Sequence, residues 1–329
     1  MSSSPTAIDH IPRGSGGPGE GTYTCPVSGS RTLTVLGVAE WQAQQRAHER
    51  RVDHLVRGHV DRRRRGIKHP VEDFLFTYYS YRPAQLRRWH PGAGVTLAGE
   101  PPHAFRRGYV RTDRGVTLDP ALIEQRSDSI GWVRNLLTAT GTRPAFTGCF
   151  GLHEWAMVYR ADEVRHEAWP LRLGQSGTDA VVEQHQIRCS HFDAFRFFTA
   201  AAVPRNAHQP SRGRQLELEQ PGCLHANMDL YKWAYKLSPL VPSELVADAF
   251  ELAREIREFD MRASPYDLSA LGYEPIKIET VEGRRQYVEA QRSFTERSAP
   301  LRAHLVAECY RLLGKRPARP DAPAGPRHQ

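Results

Sequence analysis

The chain has 329 residues, a net charge of +8 and a pI near 9.4, and 40% of its residues are hydrophobic. That is enough apolar material for a substantial core and argues against a disordered or fibrous chain. No run approaches the ~18 apolar residues of a membrane span and the first residues lack the apolar centre of a secretory signal, so the sequence predicts a cytoplasmic globular protein with no membrane partner.

In chain order, residues 1–36 are rich in Ser, Gly and Pro without helical periodicity, and the sequence predicts disorder there. Trp41, His48, Val52, Leu55 and Val56 mark one face of a first helix that ends near Gly66. Tyr109-Val110-Arg111 and Gly115-Val116-Thr117-Leu118 read as a strand pair around the turn Thr112-Asp113-Arg114. Asp119-Pro120 caps a helical pattern through Ile123, Ile130, Val133 and Leu137, which Gly131 and the serines make two short helices or one kinked one. Residues 149–159 and 223–237 read as aromatic-rich helices, and 187–198 alternates enough for a strand. Leu245, Val246, Ala249, Phe250, Leu252, Ala253, Ile256 and Phe259 form the clearest amphipathic helix. Ser264-Pro265 marks its boundary, and Pro275-Ile276-Lys277-Ile278 is a plausible strand ending at Glu279. A last helix covers 282–313 with Pro300 forcing a break or a new start, and the Pro-rich basic tail 315–329 reads as disordered. The expected architecture is mainly α, of the α+β class: a single large, mostly helical domain over 37–314, with a few short strands and disordered termini.

Residues 69–92, HPVEDFLFTYYSYRPAQLRRWHPG, concentrate chemistry unlike that of an ordinary core segment. On a helix His69 and Asp73 share a face at i, i+4, beside a run of phenylalanines. Tyr78, Tyr81 and Trp89 offer flat surfaces for stacking on a base, while Arg87 and Arg88 add charge that suits a phosphate. The run Arg62, Arg63, Arg64 and Arg65 adds to this positive charge, so DNA is the expected partner. The same arginines would equally suit a solvated helix end complementing the helix dipole.

Four places set a histidine beside a carboxylate: His69 with Asp73, His153 with Glu154, His191 with Asp193, and His225 with Asp229. Metal-free acid/base work needs two carboxylates in different surroundings, and Asp73, Glu154 and Asp229, with His69 and His225, are the catalytic candidates. The alternative is a transition metal such as zinc or iron on His153, His191, His225 and Asp229, with Cys149 and Cys223 also at suitable spacings. The metal-free form is the expectation, so no cofactor is predicted. G-x-x-x-x-G-K-[ST] does not occur, and the one G-x-G-x-x-G, at Gly14, Gly16 and Gly19, lies in the Gly- and Pro-rich first segment with no strand or helix pattern beside it. The scattered cysteines, Cys25, Cys149, Cys189, Cys223 and Cys309, contain no C-x-x-C pair, which points to reduced thiols.

At HPVEDFLFTYYSYRPAQLRRWHPG, CSHFDAFRFFTAAAVPRN, QPGCLHANMDLYKWAYKLSP and DMRASPYDL, the sequence resembles a family of actinobacterial proteins commonly labelled 3-methyladenine DNA glycosylases, over roughly residues 38–313. The resemblance implies DNA repair by hydrolysis of the N-glycosidic bond of an alkylated base, and it identifies no catalytic residue. His90-Pro91-Gly92-Ala93-Gly94 fits the turn of a helix-hairpin-helix glycosylase, but Val95-Thr96-Leu97-Ala98-Gly99 does not continue as that motif's helix, so that fold is not expected. Two competing readings stay open: a metal-dependent hydrolase or oxygenase acting on a small molecule, and a non-catalytic nucleic-acid-binding protein.

Overall fold

The computed structural model describes residues 34–161 and 169–314; the expected disorder of the first 33 residues and of 315–329 lies outside the described residues. The protein is mainly helical with one small sheet. Its helices are α1 (Val38–Arg64), α2 (Phe74–Thr77), α3 (Pro83–Leu86), α4 (Ala121–Gln125), α5 (Ser127–Thr142), α6 (Leu152–Ala156), α7 (Gly174–Gln184), α8 (Phe192–Phe195), α9 (Gln215–Leu218), α10 (Leu224–Leu237), α11 (Ser243–Arg262) and α12 (Val281–Leu312). The strands are β1 (Thr34–Leu36), β2 (Val95–Leu97), β3 (Tyr109–Thr112) and β4 (Gly115–Leu118), in the order β1-β2-β4-β3. The β1–β2 pair is parallel and the others are antiparallel, with Leu36 opposite Leu97 and Tyr109 opposite Leu118. Leu36 and Leu97 pack with Trp41 and Trp89, which fastens the sheet to the start of α1.

α10 is the axis of the molecule. Every residue from Leu224 to Ala234 is buried, and the helix packs against α11 and α12. A helix buried all round is normally apolar all round, yet this one carries His225, Asn227, Asp229 and Lys232. α11 presents the apolar stripe expected of it and ends at Arg262, before Ser264-Pro265. α4 begins where Asp119 Oδ1 accepts the Ala121 N–H at 3.0 Å. Thr280 Oγ1 likewise accepts the Gly283 N–H at 3.0 Å and starts α12. No described helix is long and apolar enough to cross a membrane.

Four expectations are corrected. The segment predicted to be disordered through residue 36 contributes β1, because the backbone of Thr34–Leu36 finds a partner strand in Val95–Leu97. Residues 187–198 do not form a strand: Ile187 makes an isolated bridge to Asn206, and α8 begins after His191. The Asn206 carboxamide substitutes for a neighbouring strand, accepting the Cys189 N–H at 2.8 Å and donating to the Cys189 carbonyl at 2.9 Å. Residues 275–278 are irregular, since the Ile276 N–H turns back to the Arg262 carbonyl rather than joining a ladder. α12 runs through Pro300 without a break. Its face of Tyr287, Gln291, Phe294, Ser298, Arg302, Leu305 and Cys309 is buried on both sides of the proline, and that burial offsets the missing N–H.

Candidate metal centre

Local backbone geometry delivers the polar side chains into the core. Phe150 and Gly151 both adopt left-handed conformations, φ +48° and +70°, immediately before α6. The first is strained for a residue with a side chain, and a Cβ on the second would come within 3.2 Å of Tyr287. This double reversal turns His153 and Glu154 inward. Gly222 precedes α10 where a Cβ would stand 2.5 Å from the Phe146 carbonyl oxygen, so its bare backbone lets the start of α10, with His225, sit deep in the fold.

Two groups of potential ligands result, each with its donor atoms within 4.8 Å of one another and each wholly buried: His153, His225 and Asp260, and His191, Glu219 and Asp229. His225 adjoins both groups. Its ring meets that of His153 edge to face, with centroids 4.4 Å apart, and stacks on His191 at 5.3 Å. His153 Nε2 lies 3.1 Å from Asp260 Oδ2, and His191 Nε2 lies 3.2 Å from Asp229 Oδ2 and 3.6 Å from Glu219 Oε1. Arg257 donates to Glu154 at 2.9 Å beside the first group.

The two groups differ in how far their donors are already satisfied. Asp229 Oδ1 accepts the Tyr79 hydroxyl at 3.1 Å, and Oδ2 faces the Lys232 ammonium at 2.5 Å, which also reaches Asp193 at 2.9 Å. Glu219 accepts from Gln215 at 3.1 Å. Lys232 thus already supplies a cation to the second group. In the first group the nearest cation is the Arg257 guanidinium, 4.0 Å from Asp260 Oδ2 and hydrogen-bonded instead to Glu154, and Asp260 Oδ1 is a buried carboxylate oxygen with no hydrogen-bond donor. An orphaned carboxylate oxygen beside two imidazoles is the chemistry a divalent metal satisfies.

Electrostatics sharpen the contrast. Burial, and then the neighbouring His153 and His191, hold His225 well below the ordinary histidine value, which leaves its imidazole neutral and able to ligate. Burial works against protonating His153, but Asp260 outweighs it and raises its pKa. His191 is raised in the same way, burial being overcome by Glu219 and Asp229. Burial pushes Glu219 up, against the pull of His191. Against burial, Asp229 and Asp193 raise Lys232 and keep it charged.

His153 and His225 fall in one group and His191 and Asp229 in the other, with partners other than the carboxylates beside them in sequence, and Glu154 stands beside the first group on Arg257. Asp73 has different partners: Oδ1 lies 2.8 Å from His59 Nδ1 and Oδ2 accepts the His69 N–H at 2.8 Å. His69 Nδ1 in turn accepts the Glu72 N–H at 3.1 Å. Tyr78 stacks on Phe74 at 4.9 Å and Tyr81 on Tyr235 at 4.6 Å, both half-buried. Trp89 is buried and donates its indole N–H to Glu244 at 2.7 Å. Arg62 pairs with Glu72, and Arg87 with Asp53 at 2.7 Å, while Arg63, Arg64, Arg65 and Arg88 are exposed. Cys149, Cys189, Cys223 and Cys309 are free thiols.

Sequence reasoning missed Asp260, Glu219, Lys232 and Arg257 as site residues. The signal for Arg257 and Asp260 is their position four and seven residues after Ala253, on the otherwise apolar stripe of α11. Lys232 follows Asp229 by one turn on a fully buried helix. Glu219 has no comparable periodic signal. Comparison of the chain with protein-family models, with curated proteins and with solved structures finds no match, so the reading of the site rests on its own geometry.

Proposed function

We propose that this protein is a metal-dependent enzyme, a hydrolase or oxygenase acting on a small molecule, whose single metal ion is held by His153, His225 and Asp260. The observation that carries the reading is a buried two-histidine, one-carboxylate set whose donor atoms lie within 4.8 Å, with one carboxylate oxygen orphaned. Three protein ligands leave coordination positions free, which water, oxygen or substrate would reach only as the packing around α10 opens, and this donor set suits zinc, iron or manganese. Bound there, the ion would supply Lewis-acid or redox chemistry. The chain's own residues do the rest: Asp229 fixes His191 and Lys232, Glu219 faces His191, and Arg257 pairs with Glu154 on α6.

The test is elemental analysis of the purified protein and of protein reconstituted with each of the three metals. About one equivalent is expected, and it is lost in His153→Ala, His225→Ala and Asp260→Asn with circular dichroism unchanged. A protein that takes up no metal under either condition, or a His225→Ala variant that keeps a full equivalent, overturns the proposal.

A second reading is the N-glycosidic hydrolysis implied by the family resemblance, with DNA as partner. It is favoured by the +8 charge and by Arg63, Arg64 and Arg65, which all face solvent at the end of α1. The blocks that carry the resemblance supply Tyr79, His191, Asp193, His225, Asp229, Lys232 and Asp260 to the buried centre. Release of 3-methyladenine from methylated duplex DNA, run before and after incubation with chelator long enough for elemental analysis to show the protein metal-free, separates the readings: release that persists supports metal-free glycosylase chemistry.

A further inference from the structure

Away from the buried centre, a surface groove of about 260 Å³ runs between α1, α3 and the 3-10 helix Pro102–Phe105. Its walls include Glu49, Arg87, Arg88, Trp89, His103 and Arg106. Several arginines of this fold have a carboxylate partner, among them Arg51, Arg111, Arg172, Arg257 and Arg297. In the groove Arg87 is neutralised by Asp53 at 2.7 Å and Glu49 at 3.3 Å, which consumes the carboxylate of the groove wall. Arg88 and Arg106 are different. Neither makes an ion pair or a side-chain hydrogen bond among the described residues, and both line the same groove. The half-buried Arg106 guanidinium is pushed below its ordinary value, first by burial and then by Arg88.

Glu49 is the one carboxylate of the wall, and it offsets only part of the effect of burial and of Arg88 on Arg106. His103 is buried, and its Nε2 lies 2.9 Å from the Trp89 carbonyl, which can only accept, so Nε2 carries the proton. Its Nδ1 is buried without a partner. Trp89 offers no polar atom, since its indole N–H is taken by Glu244. Two like charges brought together in a partly desolvated concave site are repulsive, and an oxyanion bridging the two planar forks removes that cost.

We propose that this groove binds a phosphate-class oxyanion through the guanidinium groups of Arg88 and Arg106, with Arg106 at the base and Arg88 at the rim. A dianionic tetrahedral group presents enough oxygens to engage both forks and enough charge to balance them, which a single carboxylate does not. The groove is larger than the phosphate itself and leaves room for the group that carries it. A free phosphomonoester and the backbone of DNA offer the same chemistry, and the site is independent of any metal at His153, His225 and Asp260.

Titration calorimetry of the full-length protein at low salt tests this with three probes: inorganic phosphate, adenosine 5′-monophosphate and a short DNA duplex. At least one is expected to bind saturably, and the Arg88→Gln/Arg106→Gln double variant is expected to bind it about tenfold or more weakly. Binding of the first two identifies a free phosphate as the source; binding of the duplex alone identifies the nucleic-acid backbone. The Arg88→Lys/Arg106→Lys variant keeps both charges but loses the forks, so an intermediate affinity is expected, and it carries the test if the glutamine variant does not fold. The proposal is overturned if the wild type binds none of the three, or if a folded double variant binds within twofold of the wild type.

Discussion

Arg257 Nη1 donates to Glu154 Oε1 at 2.9 Å with both side chains sealed from solvent, and the same guanidinium lies 3.9 Å above the ring of Phe74. Removing only the cation leaves a buried carboxylate without its guanidinium. Arg257→Met is therefore expected to cost about 3–5 kcal/mol, and Arg257→Met/Glu154→Leu to recover much of that loss. Urea unfolding of the two single variants and the double variant measures the coupling. Single variants whose costs simply add would show that the pair is not an energetic unit.

The two ligand groups are expected to behave differently. Tyr79→Phe removes one hydrogen bond to Asp229, at a cost of about 1 kcal/mol, and leaves metal content unchanged. Asp229→Asn also leaves the proposed ligands in place, so it keeps the metal while disturbing Lys232 and His191. Metal lost from Tyr79→Phe, with His225→Ala unaffected, would reverse the assignment of the two groups.

Stability of the metal-free protein depends on pH with opposite signs from two sets of histidines. Burial holds His48, His69, His90, His103 and His225 below their ordinary value, His90 at about 3. The unfolded chain takes up protons near pH 6.5 that these folded rings refuse. Their stabilisation is therefore complete above about pH 6.5 and is lost as pH falls toward each folded value. Asp193 and Asp229, held down by Lys232 against the effect of burial, add a further loss at lower pH. His153 and His191, raised on balance, contribute below about pH 6.5 and lose that contribution as pH climbs through their folded values. Urea midpoints followed from pH 4 to 9 are expected to fall toward acid. A smaller alkaline decline is expected to vanish in His153→Ala/His191→Ala, and a flat acid limb contradicts this account.

If DNA binds, the arginines at the end of α1 do not count equally. Arg62 is committed to Glu72, whereas Arg63, Arg64 and Arg65 face solvent. Neutralising those three is expected to reduce the slope of log affinity against log salt by up to about three phosphate contacts' worth, and adding Arg62 to change it little further. Affinity measured between 50 and 200 mM salt, as about the useful range, decides the matter; an unchanged slope makes the run a solvated helix end.

Much of the fold is legible in the chain because α1, α11 and the β3–β4 hairpin carry their own periodic or turn signals. The start of α4 and the end of α11 are announced by Asp119-Pro120 and Ser264-Pro265. What is not legible is set by partners distant in sequence, as at Cys189, whose backbone is satisfied by the Asn206 side chain. The site shows the same division. His153, His191 and His225 are each marked by a neighbouring carboxylate, but the contacts are exchanged between segments. His153 meets Asp260 rather than Glu154, and His191 meets Asp229 rather than Asp193. Local spacing identifies the residue types and leaves their partners to the packing of α6, α10 and α11.

The burial of α10 has a kinetic consequence. Its first turn, with His225, has no face directed to bulk water, and Asp260 is wholly enclosed. An ion held between them could leave only when the packing of α6, α10 and α11 loosens, so its release into excess chelator would proceed at the rate of that opening, however much chelator is added. Exchange of the α10 backbone amides with deuterium reports the same motion, and the two clocks would run together.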